Sequence, residues 1–152
     1  MKKYKIAIIN GPNINILGKR EPKVYGYIEW EDIEKEIEEL GEELNLNLFF
    51  FQSNHEGAIV DFVQQNMDEL SGIVINPAAF TKGGYSILES INAVKIPYVE
   101  VHITNLAARG GWHMESIFSS EAIGVIMGFR EKGYLYGVKA INDYLIRQEI
   151  TR

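Results

Sequence analysis

The chain contains no cysteine. Disulfides, thiolate metal sites and a cysteine nucleophile are therefore excluded, and a reducing compartment is suited. Histidine is scarce as well. His55, His102 and His113 are the only three, too scattered to suggest a metal cluster, so no metal site is expected. Basic charge is in deficit: 15 Lys and Arg stand against 21 Asp and Glu, a formal net charge of −6. That balance argues against a nucleic-acid partner, which needs a basic face, while leaving room for a local anion pocket. Long apolar runs are missing too, and nothing approaches the roughly 20 residues of a membrane span. The N-terminal apolar run, Ile6 to Ile9, is too short for a signal peptide and leads straight into Asn10-Gly11-Pro12-Asn13. A cytoplasmic protein with no membrane partner is expected.

Nucleotide motifs are also absent. Gly83-Gly84 and Gly110-Gly111 lack the spacing of a dinucleotide fingerprint, and there is neither a phosphate-binding glycine loop nor a serine nucleophile elbow. No cofactor is expected.

What is present is a repeating alternation over 152 residues, enough for one domain with one sizeable core and read here as 1–152. Apolar runs at Tyr4 to Asn10, Leu46 to Gln52, Gly72 to Asn76, Tyr98 to Ile103 and Ile123 to Met127 predict five strands. Between them, apolar residues recur at three- and four-residue steps. Trp30, Ile33, Ile37, Leu40 and Leu44 form one helical face, and Ile59, Phe62, Val63, Met67 and Leu70 a second. Ile87, Leu88, Ile91 and Val94, ended by Pro97, form a third, and Leu135, Val138, Ile141 and Leu145 a fourth. Strands alternating with helices predict an α/β fold, a parallel sheet covered on both faces. In such sheets ligands sit beyond the carboxyl ends of the strands.

Polar residues gather just after those strands: Asn10 to Asn13 after the first, Asn76-Pro77 after the third, Glu100-Val101-His102 closing the fourth. The stretch Gly11 to Tyr27 exceeds the usual strand-to-helix connection of about 2–6 residues and is a candidate lid. It carries Arg20 and Tyr25. A tyrosine, with an ordinary pKa of about 10, is a poor base at neutral pH, but a nearby arginine favours the phenolate. Glu100 and His102 stand two apart on a strand, so their side chains share a face, and a carboxylate can orient a histidine as proton donor. A base and an acid facing one substrate suit the elimination of water from a hydroxy-ketone, with donors aimed at the enolate oxygen. Taken singly, each residue has a plainer role: Tyr25 in packing, His102 as a satisfied structural histidine, Arg20 and Arg109 as solvated charges. Asn10, Asn13 and Asn76 would then be turn or helix caps, and Trp112-His113 a loop contact.

Four ordered segments weigh against the plainer roles. Asn10 to Pro22 with Tyr25-Gly26, Gln52-Ser53-Asn54-His55-Glu56-Gly57, Glu100 to Asn105 with Arg109, and Gly124 to Gly128 with Gly133-Tyr134-Leu135 together resemble the type II 3-dehydroquinate dehydratases over roughly residues 4 to 145. The resemblance implies a flavodoxin-like fold with a five-stranded parallel sheet and helices on both faces. It implies a cofactor-free anti elimination through an enolate in the shikimate pathway, on the small-molecule substrate 3-dehydroquinate. It implies Tyr25 as base, Arg20 as the group that lowers its pKa, Asn13 as holder of a water at the enolate, and His102 as acid oriented by Glu100. Asn76 would help position the hydroxyl, Ile103 and Thr104 would bind the substrate carboxylate, and Arg109 would support the lid. A homododecamer of four trimers is likewise implied.

The recognition positions depart from the family pattern. Lys82 stands where the family has a substrate-binding histidine. Glu89 replaces an aspartate that reaches the neighbouring subunit, and His113 replaces an arginine that contacts substrate hydroxyls. Arginine offers five donors and histidine at most two, so hydroxyl recognition must be built differently, with Lys82 as a candidate compensating donor. Gly110-Gly111 are expected to loosen their loop. Two other readings follow from these departures: a paralogue eliminating water from a related cyclic hydroxy-ketone, and a non-catalytic binding protein. The joint presence of Tyr25, Arg20 and His102 argues against the second.

Overall fold

The computed structural model describes residues 3–19, 21–25 and 27–152, with Tyr25 described by its backbone only. Five strands, β1 (Tyr4–Asn10), β2 (Leu46–Gln52), β3 (Gly72–Asn76), β4 (Tyr98–His102) and β5 (Val125–Met127), form one sheet in the order β2-β1-β3-β4-β5. Every pairing is parallel. That order is flavodoxin-like, as expected. The central strands are apolar almost throughout because both faces are covered. One face of the sheet, Ile6, Ile8, Val74, Val99 and Val101, packs on α2 (Trp30–Glu43) and α6 (Lys132–Ile150). The other, Ala7, Ile9, Ile73, Ile75 and Tyr98, packs on α3 (Glu56–Gln65) and α4 (Tyr85–Val94). Two four-residue helices, α1 (Pro22–Tyr25) and α5 (Leu106–Arg109), complete the set.

The helix ends follow local chemistry. α3 stops at Gln65, short of the predicted face: Asn66 turns its amide back onto the Phe62 carbonyl at 2.8 Å, so Met67 and Leu70 lie beyond the helix. α4 ends earlier than Pro97, at Lys95 in the left-handed conformation with φ 58°. The long connection after β1 contains a 3₁₀ turn at Ile14–Ile16 and α1. Among the described residues, no helix is long and apolar enough to cross a membrane.

Register sets up the rim. Asn10 of β1 aligns with Gln52 of β2 on one side and with Asn76 of β3 on the other. The turns that leave β1 and β3 touch. The Gly11 amide donates to the Asn76 carbonyl at 2.8 Å, and a Cβ on Gly11 would stand 2.2 Å from the Pro77 carbonyl oxygen, so only glycine fits.

Candidate active site

Glu100 lies in the middle of a doubly covered sheet and is fully buried. A carboxylate there needs donors, because burying an unpaired charge is costly. It has three. His102, two residues on and on the same face, bonds Oε2 through Nε2. The Ser116 hydroxyl donates to Oε2 at 2.8 Å and the Ser119 hydroxyl to Oε1 at 2.7 Å. Burial pushes the Glu100 carboxyl up. Donation from His102 and Ser119, the attraction of His102 and donation from Ser116 outweigh it, so the group sits below the ordinary carboxylate value. His102, 5% exposed, is thus held by an anion behind it, with Nδ1 the ring nitrogen left to serve the space in front.

That space is a cavity of about 300 Å³ at the carboxyl edge of the sheet, the size of a small-molecule site. Asn13, Asn76, Lys82, His102, Ile103, Thr104, Arg109 and His113 all line it. Eight of the expected residues, drawn from four separate stretches of chain, therefore meet around one volume. Arg20 and the Tyr25 side chain lie outside the described residues. Glu21, between them in sequence, reaches the cavity wall. Glu89 is exposed on α4 and does not line this chain's cavity.

Each wall has its own support. Asn13 takes the left-handed conformation, φ 71°, and its amide donates to Asn54 Oδ1 at 3.1 Å. Gln52 Nε2 donates to the same oxygen and to the Gly11 carbonyl, so the 52–54 segment braces the first turn. Asn76 turns inward: its amide donates to the Tyr134 hydroxyl at 2.9 Å, and that hydroxyl donates to Asn10 Oδ1 at 2.7 Å. After β4, Asn105 caps α5 by accepting from the Ala107 amide, and Arg109 Nη1 donates to the Thr104 hydroxyl at 3.4 Å. Gly110 and Gly111 take φ of 68° and 59°, which turns the chain out of α5 into a 3₁₀ turn over Gly111–Met114. There Trp112 stacks on His113 with ring centroids 3.9 Å apart.

Four residues around the site were not anticipated: Glu21, Glu115, Ser116 and Ser119. Glu115 pairs with Lys82 at 3.1 Å, and both line the cavity. Ser116 and Ser119 sit in an irregular stretch with no periodicity to flag them. A signal was nonetheless available. A carboxylate expected on a buried strand needs more donors than one histidine supplies.

A flavodoxin-like sheet whose strand ends carry a cavity and a buried, hydrogen-bonded Glu–His couple defines the class, an α/β protein with an acid–base pair beside a site of small-molecule size. Comparison with known proteins makes the class specific. The family described as dehydroquinase class II matches residues 4–142. A 3-dehydroquinate dehydratase of Halothermothrix orenii is 45% identical over 137 residues, 90% of this chain and 93% of its own. One of Endomicrobium trichonymphae is 46% identical over 135 residues, 89% of this chain and 94% of its own. The crystal structure of the type II dehydroquinase from Butyrivibrio crossotus superposes with a TM-score of 0.89 at 38% identity, covering 93% of this chain and 99% of that one. The chain belongs to the class II dehydroquinase family.

Proposed function

We propose that the chain is a 3-dehydroquinate dehydratase, removing water from 3-dehydroquinate to give 3-dehydroshikimate. The observation that carries this reading is the buried Glu100–His102 couple at a cavity shared by Asn13, Asn76, Thr104 and Arg109. In the proposed reaction, Tyr25, with its phenolate favoured by Arg20, takes the proton beside the ketone. The electron pair moves onto the carbonyl oxygen as an enolate, stabilised by a water held on Asn13. The enolate collapses, the carbon–oxygen bond breaks, and the leaving hydroxyl takes a proton from His102 to depart as water. Asn76 helps position that hydroxyl. The backbone at Ile103 and Thr104 receives the substrate carboxylate, and Arg109 closes that side. Residues 1–152 act as one catalytic domain. The identity of the relatives along most of the chain favours 3-dehydroquinate over a related ketone.

Mixing purified protein with 3-dehydroquinate should raise the ultraviolet absorbance as the conjugated product forms. A flat trace with folded protein would remove this substrate.

Hydroxyl recognition is assigned to Lys82 and His113. Lys82 shares its charge with Glu115, so the pair offers a donor and an acceptor side by side, as a hydroxyl requires. Losing a hydrogen bond to a charged group costs about 1.5–3 kcal/mol. Lys82→Ala is therefore expected to raise KM about tenfold or more, with kcat within about threefold. A fall in kcat as large as the rise in KM would place Lys82 in the chemistry instead.

Family membership also supports a cytoplasmic location, a role in the shikimate route and assembly as a homododecamer of four trimers. An exposed Glu89 outside its own cavity fits a contact to a neighbouring subunit's site.

A further inference from the structure

The Glu100 carboxylate uses both of its oxygens, yet only one bond goes to His102. The other two come from a segment far along the chain, and that segment is fastened. The Ile117 amide donates to the Thr81 carbonyl at 2.9 Å, the Tyr98 hydroxyl donates to the Phe118 carbonyl, and Phe118 is fully buried. Ser116 Oγ also accepts from the Phe118 amide at 3.1 Å. With a lone pair occupied there, its hydrogen is directed at Glu100 Oε2.

Among the described residues, His102, Ser116 and Ser119 are the side chains bonded to the Glu100 carboxylate. On β4, Tyr98 shares the face of Glu100, and its phenol is held protonated by burial and by the charges of Glu100 and Glu121. α4, packed on that face, buries Ile87, Ser90 and Ile91, none of them ionisable. Without the serines, His102 would be the remaining donor to a buried anion, and the shared proton would be drawn toward the carboxylate.

We propose that Ser116 and Ser119 are positioning residues of the acid side: they hold Glu100 ionised and aimed, and so keep His102 in the form that can release a proton into the cavity. They touch no substrate, and they act through Glu100. The proposal rests on the assignment of His102 as acid.

The test uses Ser116→Ala, Ser119→Ala, the double variant and the threonine counterparts, in protein labelled with ¹⁵N at histidine. With three histidines in the chain, the His102 ring signals are those missing from His102→Gln. In the double alanine variant kcat should fall about tenfold or more with KM within about twofold. Removing donors raises a carboxyl pKa, so the acid-side loss of rate should move toward neutral pH by about one unit. The His102 ring shifts should depart from wild type, and threonine should restore all three. A uniform loss of rate at every pH with unchanged His102 shifts, or no loss, would overturn the proposal. If the double variant does not fold, each single variant removes one donor and is read the same way. Wild type that fails to turn over 3-dehydroquinate, while its His102 shifts still answer to the serines, would sink the substrate and leave the positioning role standing.

Discussion

His102→Ala is expected to lower kcat by about 10²–10⁴-fold, the range of a lost general acid. The imidazole sits at the end of β4 with Nε2 committed to Glu100, and no other described donor occupies its place on that wall of the cavity. KM should change little, because the proposed carboxylate and hydroxyl contacts belong to other residues. The fold should survive, since Ser116 and Ser119 still donate to Glu100. Acid stability should not be spared. Glu100 has a native pKa below its ordinary value near 4.5, so its contribution is present above that value and is lost as pH falls through the native one. With donation from His102 gone, burial pushes the carboxyl up, and the variant should unfold at a higher pH than wild type. Steady-state rates, with acid titrations followed by circular dichroism, read both effects. A kcat within about threefold of wild type would remove His102 as acid.

Much of this arrangement was legible in the amino-acid sequence. β1, β2 and β3 begin and end where expected, because each is an apolar run bounded by turn residues. The helical stripe of α2 was legible because its core side is continuous: Trp30, Ile33, Ile37 and Leu40 are all buried, while Leu44, the last residue of the expected stripe, falls just past the helix as its C-cap. The second stripe misled, because periodicity continues through Met67 and Leu70 while Asn66 ends α3 by a local side-chain bond. α5 and the 3₁₀ turns were missed, being too short to show a period. In the site, residues that follow strands were legible, since topology sends strand ends to one rim. Residues that act through long-range bonds were not. Nothing local ties Ser116 to Glu100, 16 residues away, or Tyr134 to Asn10, 124 residues away.

Those hidden bonds give the rim a buried side and an exposed side. Glu100 and His102 are buried and rigidly bonded, whereas Lys82 and Glu115 are more than half exposed. A lost partner on the buried side leaves a polar group unpaired, at a cost in stability that the exposed side does not carry.

Tyr134→Phe is expected to destabilise the protein by about 2–4 kcal/mol, a large effect for one oxygen atom. The Tyr134 ring is fully buried in α6 and packs edge-on to Trp30 at 5.2 Å, contacts that phenylalanine keeps. Its hydroxyl is the only group lost, and it bridges Asn10 and Asn76, both buried, at the ends of β1 and β3. Removal leaves an acceptor and a donor without this partner, both uncharged, each costing about 1–2 kcal/mol, the lower part of the range for an unpaired buried group. For a chain of this length that corresponds to a fall in Tm of roughly 5–12 °C, compared at equal protein concentration. The difference should narrow in alkali. Burial raises the phenol above its ordinary value of about 10, so wild type holds this stability below pH 10 and loses it as pH rises further, a loss the phenylalanine variant cannot show. Because Asn10 and Asn76 anchor the turns carrying Asn13 and Pro77, kcat should fall several-fold as well. An unchanged Tm would mean that water or a shifted asparagine takes over the hydroxyl's bonds, and that the Asn10–Tyr134–Asn76 relay does not hold the rim together.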